Sequence, residues 1–218
     1  MSAGHDHSHS FDGMNDDYKR RLLWVTAINV GMFVIEMGAG HLAGSQALKA
    51  DALDFFADGL TYALSFWAIG KAMQIRTGAA VLKGVSLLLL GLWIAGTTLY
   101  QFFVHGVPEA EVMGAIGFVA LAANLLSVYL LMAYKDGDAN IRSVWLCSRN
   151  DAIGNVAVMI AAVFVAVLHT GVPDLIVAGV MAVLFLSSAY QILRHSWAEW
   201  QETRAHAGHD HEHEHGEK

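Results

Sequence analysis

Residues 50–59 read ADALDFFADG. Asp51, Asp54 and Asp58 stand in a run otherwise apolar enough to lie in a bilayer. There a carboxylate costs about 2.5–3.5 kcal/mol at a helix centre. The spacing i, i+3, i+7 puts all three on one stripe of a helix. A membrane span keeps such groups where they face the bundle interior or a wet cavity. The run therefore reads as the polar face of a helix that is buried among others.

The rest of the chain fits that setting. Of its 218 residues, 55% are hydrophobic and only 15% charged, against about 25% charged in a soluble domain. Ten of the twenty acidic residues lie in the first 17 or last 20 positions, so the net charge of −7 describes the ends rather than the body. No basic stripe points to nucleic acid. The single cysteine, Cys147, excludes an intrachain disulfide framework. The N-terminus lacks the basic segment and short apolar core of a cleaved signal peptide.

Crossing about 30 Å of hydrocarbon takes about 20 apolar residues. Six windows qualify: Leu22–Gly44, Ala47–Ile75, Gly84–Val104, Met113–Tyr134, Val144–His169 and Leu175–Ile192. The two prolines, Pro108 and Pro173, fall between windows and break no helix. The expected fold is an all-α membrane protein of six transmembrane helices spanning residues 20–195. A His/Asp-rich disordered tail is expected over 1–19, and a short His/Glu-rich tail without a further cytoplasmic domain over 196–218. Twelve of the thirteen lysines and arginines fall on one side of this topology, with only Lys49 opposite. By the positive-inside rule that side is cytoplasmic, and both termini lie there.

A second polar stripe appears in the fifth span, where Cys147, Asp151 and Asn155 follow i, i+4, i+8. At about 1.5 Å per residue, Asp58 lies about 16 Å from the outer edge and Asp151 about 12 Å from the inner edge. The two stripes therefore meet near mid-bilayer, with Asp54 opposite Asp151 and Asp58 opposite the Cys147–Asp151 turn. Clustered carboxylates without matching cations repel one another. Such a site either takes up protons or holds a cation. Three carboxylates and a thiolate supply four ligands for tetrahedral Zn²⁺, and the soft thiolate favours Zn²⁺, Cd²⁺ or Co²⁺ over Mg²⁺ or Ca²⁺. Metal entry expels protons from such ligands. Asp51 reads equally as a helix–helix hydrogen-bonding group. Glu36, Asn155 and Arg149 read as supporting or pathway groups.

Eight of the twelve histidines lie in the terminal segments: His5, His7, His9, His206, His209, His211, His213 and His215. Alternating with acids, they form a low-specificity chelator for transition metals, or else a plain solvated tail. The expected function is exchange of a divalent metal for protons. A metal-binding sensor or store without turnover, and a proton or cation channel, are alternatives. No HExxH, GxSxG or phosphate loop occurs, so no enzyme and no organic cofactor is expected.

GSQALKADALDFFADGL (44–60) resembles the second-helix signature of the cation diffusion facilitator family, and CSRNDAIGNVAVMIAA (147–162) its fifth-helix signature. AINVGMFVIEMGAG (27–40) and MGAIGFVALAANLLS (113–127) are similar to its first and fourth helices. The resemblance implies Zn²⁺ efflux by proton antiport, alternating access, a homodimer formed through the transmembrane part, and a bacterial inner-membrane location. By position it places the transport site on Asp54, Asp58, Cys147 and Asp151. Histidine is usual in that family where Cys147 stands, which implies softer ions for this chain. The chain looks like the short subgroup without the family's C-terminal cytoplasmic domain.

Overall fold

The computed structural model describes residues 16–68, 73–104, 106–134 and 139–214, with side chains over 17–64, 78–104, 106–133 and 148–198. Among these residues there are six α-helices, one short 3₁₀ turn and no strand. They are α1 (Asp16–Ala43), α2 (Gln46–Ala68), α3 (Met73–Val104), α4 (Ala110–Leu131), α5 (Ala139–Leu168) and α6 (Val172–Glu214).

Each begins or ends where local chemistry dictates. Arg20 and Arg21 reach back to the Asp17 carboxylate at 3.0 and 2.9 Å, so acid–base pairs at i, i+3 and i, i+4 close the first turn of α1. The helix thus opens inside the segment expected as an N-terminal tail. The α1–α2 turn hinges on Gly44, whose φ of +69° is one that side chains rarely adopt. Ser45 N–H donates to Gly40 O at 3.0 Å across it, in the Schellman pattern. Gly40 has a separate task. A Cβ there would stand 3.0 Å from Lys49 N, so α2 can start against α1 only over a bare backbone.

Two expected boundaries move. Met73, Gln74 and Ile75 were assigned by hydropathy to the second span, but they open α3. A reversal inside an apolar run leaves no trace in hydropathy. The sixth span was expected to end at Ile192, and the backbone of α6 continues unbroken past it to Glu214. Alanine, glutamate, glutamine and arginine dominate 198–205, and all are good helix formers.

Five helices, all but α2, contain stretches apolar and long enough to cross a membrane. Lys49, Asp51, Asp54 and Asp58 disqualify α2 by composition. Its position compensates, because α2 packs against each of the other five helices, whereas no other helix touches more than three extensively. The most polar helix therefore sits in the middle, and the outer faces of its neighbours present Trp24, Leu89, Phe103, Val183 and similar side chains. α3 pairs most extensively with α6, α4 with α5 and α1 with α2.

The loops after α1, α3 and α5 meet at one end of the bundle. Glu109 N–H donates to Ala43 O at 3.0 Å, and Gln101 Nε2 donates to Gly44 O at 2.6 Å. Asp174 joins them. This buried carboxylate at the start of α6 accepts Ser45 Oγ at 2.5 Å, Gln46 N–H at 2.8 Å and Ala47 N–H at 3.0 Å. Ser45 Oγ in turn accepts Leu48 N–H at 3.0 Å. The first turn of α2 is thereby capped from within and from α6. With all three loops at one end, the six helices alternate in direction, as six crossings require.

Candidate functional site

α2 and α5 run antiparallel along a shared seam, and their polar stripes meet there. Asp54 and Asp58 on α2 and Asp151 on α5 all face the same space. Asp54 and Asp58 thus share the α2–α5 seam with Asp151. All three line one cavity of about 340 Å³. Among the described residues no group of three or more His, Cys, Asp or Glu side chains is arranged to hold a metal ion. The fourth candidate, Cys147, lies on α5 one turn before Asp151, but its side chain is outside the described residues.

The cavity walls come from α2, α3, α5 and α6. Beyond the three acids the lining includes Thr61, Lys83, Asn150, Ser188 and Gln191. These lie toward the end of the bundle that carries most of the basic residues. Toward the loop end, Ala50, Leu53, Ile94, Ala178 and Ala182 fill the core. The wet space thus runs from Asp54 toward the basic end and is closed on the other side. Tyr62 donates its hydroxyl to Asp58 Oδ2 at 2.6 Å, which fixes that carboxyl on the wall.

Two residues in this region escaped the sequence reading. Lys83 fell outside the expected third span, because the hydropathy window opened at Gly84. The helix begins at Met73, so Lys83 stands well inside α3 and faces the cavity, where its charge acts on both Asp54 and Asp58. Asp174 was passed over because the expected sixth span opened at Leu175, leaving it in the loop. Its interest lies in α2, far away in sequence, and no local pattern carries that signal.

The supporting candidates form a second polar layer, about one turn nearer the loop end. Asn155 Nδ2 donates to Asp51 Oδ2 at 2.6 Å, and Asn124 Nδ2 donates to Asn155 Oδ1 at 2.8 Å. Glu36 on α1 stands beside Asp51 in this layer, as the packing of α1 on α2 sets it. Glu36, Asp51, Asn155 and Asn124 are each at most 1% exposed. Arg149 is exposed at the rim and reaches Asn150 Oδ1 at 3.3 Å. Of the tail histidines, His5, His7, His9 and His215 lie outside the described residues. His206, His209, His211 and His213 lie on the backbone of α6, and their side chains are outside them.

Comparison with known proteins adds a family. Residues 22–199 match the model of the cation efflux transmembrane domain. The zinc transporter ZitB of Escherichia coli is 27% identical over 206 residues, which are 88% of this chain and 66% of the relative. The cadmium, cobalt and zinc/H(+)-K(+) antiporter of Bacillus subtilis is 27% identical over 210 residues, 88% of this chain and 65% of the relative. The metal cation efflux system protein CzcD of Cupriavidus metallidurans is 27% identical over 180 residues, 76% of this chain and 54% of the relative. The chain therefore spans between about half and two thirds of the length of these relatives.

Proposed function

The chain belongs to the cation efflux family, as a multi-pass integral membrane protein, and from that premise we propose that it exports divalent transition metals in exchange for protons. Zn²⁺ is the main substrate, with Cd²⁺ and Co²⁺ as further ones, and the bacterial inner membrane is its site. The observation that carries the reading is the convergence of Asp54 and Asp58 from α2 and Asp151 from α5 on one cavity. Carboxylates drawn together in a bundle that faces lipid need a cation or protons, and a dication that displaces protons supplies each in turn. Cys147, one turn from Asp151, completes the proposed ligand set.

The basic end faces the cytoplasm in this reading, so the cavity is drawn in its inward-open state. Metal enters from there, drives protons off the carboxylates and is released on the far side after the helices rock. The tail histidines collect metal at the entrance. A homodimer, checked by its native mass in detergent, is part of the proposal. The direct test is reconstitution in vesicles with a pH-sensitive dye inside. Addition of Zn²⁺ should drive a matching proton flux that needs the gradient. Metal binding without flux would leave a sensor or store in its place.

Two variants refine the site. Lys83 supplies a tethered positive charge that competes with the incoming ion. Lys83→Met should lower the Zn²⁺ concentration for half-maximal transport by roughly 3–10-fold, the scale of one partly screened charge a few ångströms away. A half-maximal concentration equal to wild type would show that Lys83 does not act on the ion. Cys147→His should keep Zn²⁺ flux and reduce the Cd²⁺/Zn²⁺ ratio, because imidazole is the harder ligand. An unaltered ratio would remove the thiolate from the ligand set.

A further inference from the structure

Glu36 is 0% exposed, and among the described residues neither of its carboxyl oxygens receives a hydrogen bond. α1 and α2 pack antiparallel, with Gly40 against Lys49 and Gly59 against Asn29, and this register sets Glu36 beside Asp51. Two ionised carboxylates are acceptors only. Set side by side in a closed interior, they have nothing to bond them unless one carries a hydrogen. Asp51 already accepts from Asn155 Nδ2, which leaves its other oxygen to accept from a protonated Glu36.

Among the described residues, the charged groups around the pair do not supply a substitute cation. On α2 the nearest are Asp51 itself and Asp54, both acidic, while Lys49 faces Asp174. α4 offers Asn124 and Ser127, and its charged residue Glu111 stands at the loop end. α5 offers Asn155 and, one turn on, Asp151. Lys83 on α3 lies across the cavity, where its charge acts on Asp54 and Asp58.

We propose that Glu36 and Asp51 form a proton-binding site, separate from the metal-binding carboxylates, that holds one proton between them and exchanges it during transport. The inference rests on the exchange reading above and adds a second ion site to it. Two covalent links tie the layers together. Asp51 stands one turn before Asp54 on α2, and Asn155 one turn after Asp151 on α5. A change of occupancy at the metal layer therefore moves the residues that hold the proton. The pair lies on the loop side of the metal layer, away from the open cavity. It is sealed in the state described here and becomes reachable from the loop side when the helices rock.

The test uses the full chain and two variants. Glu36→Gln places an amide where the acid stood, so it donates the same hydrogen bond to Asp51 without a proton to give up, and it should fold. Asp51→Asn is the second, in case the first does not. Infrared spectra of the detergent-solubilised protein with saturating Zn²⁺ should contain the carbonyl band of a protonated carboxylic acid; Glu36→Gln should lose it, and Asp51→Asn should shift it, because the remaining acid loses its carboxylate partner. A band unchanged in both overturns the site, whether or not the protein moves zinc. In vesicles, Glu36→Gln should carry one proton fewer per metal ion than wild type. An equal ratio overturns the exchange of this proton. Wild-type vesicles without any zinc-driven proton flux would instead refute the antiport reading and leave the infrared band to decide the site.

Discussion

Asp151→Asn should lose zinc transport by at least about 100-fold while the protein remains folded. Loss of a group that merely orients a metal ligand already costs 10–100-fold in affinity or activity, so the top of that range is a floor for a ligand. Asparagine matches the shape of aspartate and keeps a carbonyl to accept hydrogen bonds, but it cannot offer the same charge to a dication. The side chain is half-buried on the cavity wall, outside the apolar clusters that hold the bundle together. It also shares a seam with two like-charged groups, so neutralising it removes repulsion. Thermal unfolding in detergent should consequently shift by less than about 1 kcal/mol, within the range of a substitution that opens no cavity. Vesicle flux near the wild-type rate would remove Asp151 from the site and, with it, the convergence of α2 and α5 on which the functional reading depends.

Asp174→Ala should act in the opposite sense, on stability first. Asp174 is fully buried and satisfies three donors at the start of α2: the Ser45 hydroxyl and the amides of Gln46 and Ala47. Each donor left without a partner costs about 1–3 kcal/mol, and the anion also favours the positive end of the helix dipole. The orphaned donors gain some relief from water at the loop end, so a total loss of roughly 3–5 kcal/mol is expected. Asp174→Asn retains one acceptor oxygen and should lose less than alanine does. The measurement is thermal unfolding of the detergent-solubilised protein. A midpoint for Asp174→Ala that coincides with wild type would show that the α2 start does not depend on α6.

The two residues contrast in how visible they are from sequence. Asp151 announces itself through spacing, since a carboxylate at i, i+4, i+8 with Cys147 and Asn155 in an apolar run has no bland surface role. Asp174 has no such company. It follows Pro173 at a span start, where an acid is ordinary, and its three partners lie 127–129 positions away. Lys83 was misread for a different reason. Hydropathy placed a boundary beside it, and a helix that continues past its apolar window cannot be recognised by hydropathy.

Asp51 and Glu36 fall between these cases. The stripe put Asp51 on the face of Asp54 and Asp58 but could not separate a ligand from a hydrogen-bonding group. The answer came from the offset of α5, which brings Asn155 rather than Asp151 to Asp51. Glu36 has no polar partner at helical spacing on α1 other than Asn29, seven residues before it, so nothing local said which helix it would meet.

By itself, then, the sequence determined that this chain crosses a membrane as a helical bundle, and that two of its helices carry acids on one face each. Apolar length and a period near 3.6 are local properties, and they survive whatever the helices pack against. Only the tertiary structure decided that α2 lies at the centre, that Asp54 and Asp58 share one cavity with Asp151, and that Glu36 and Asp51 stand side by side in a closed layer. Those outcomes depend on the relative height and rotation of helices, which are set by contacts between residues a hundred positions apart, and no local pattern encodes them.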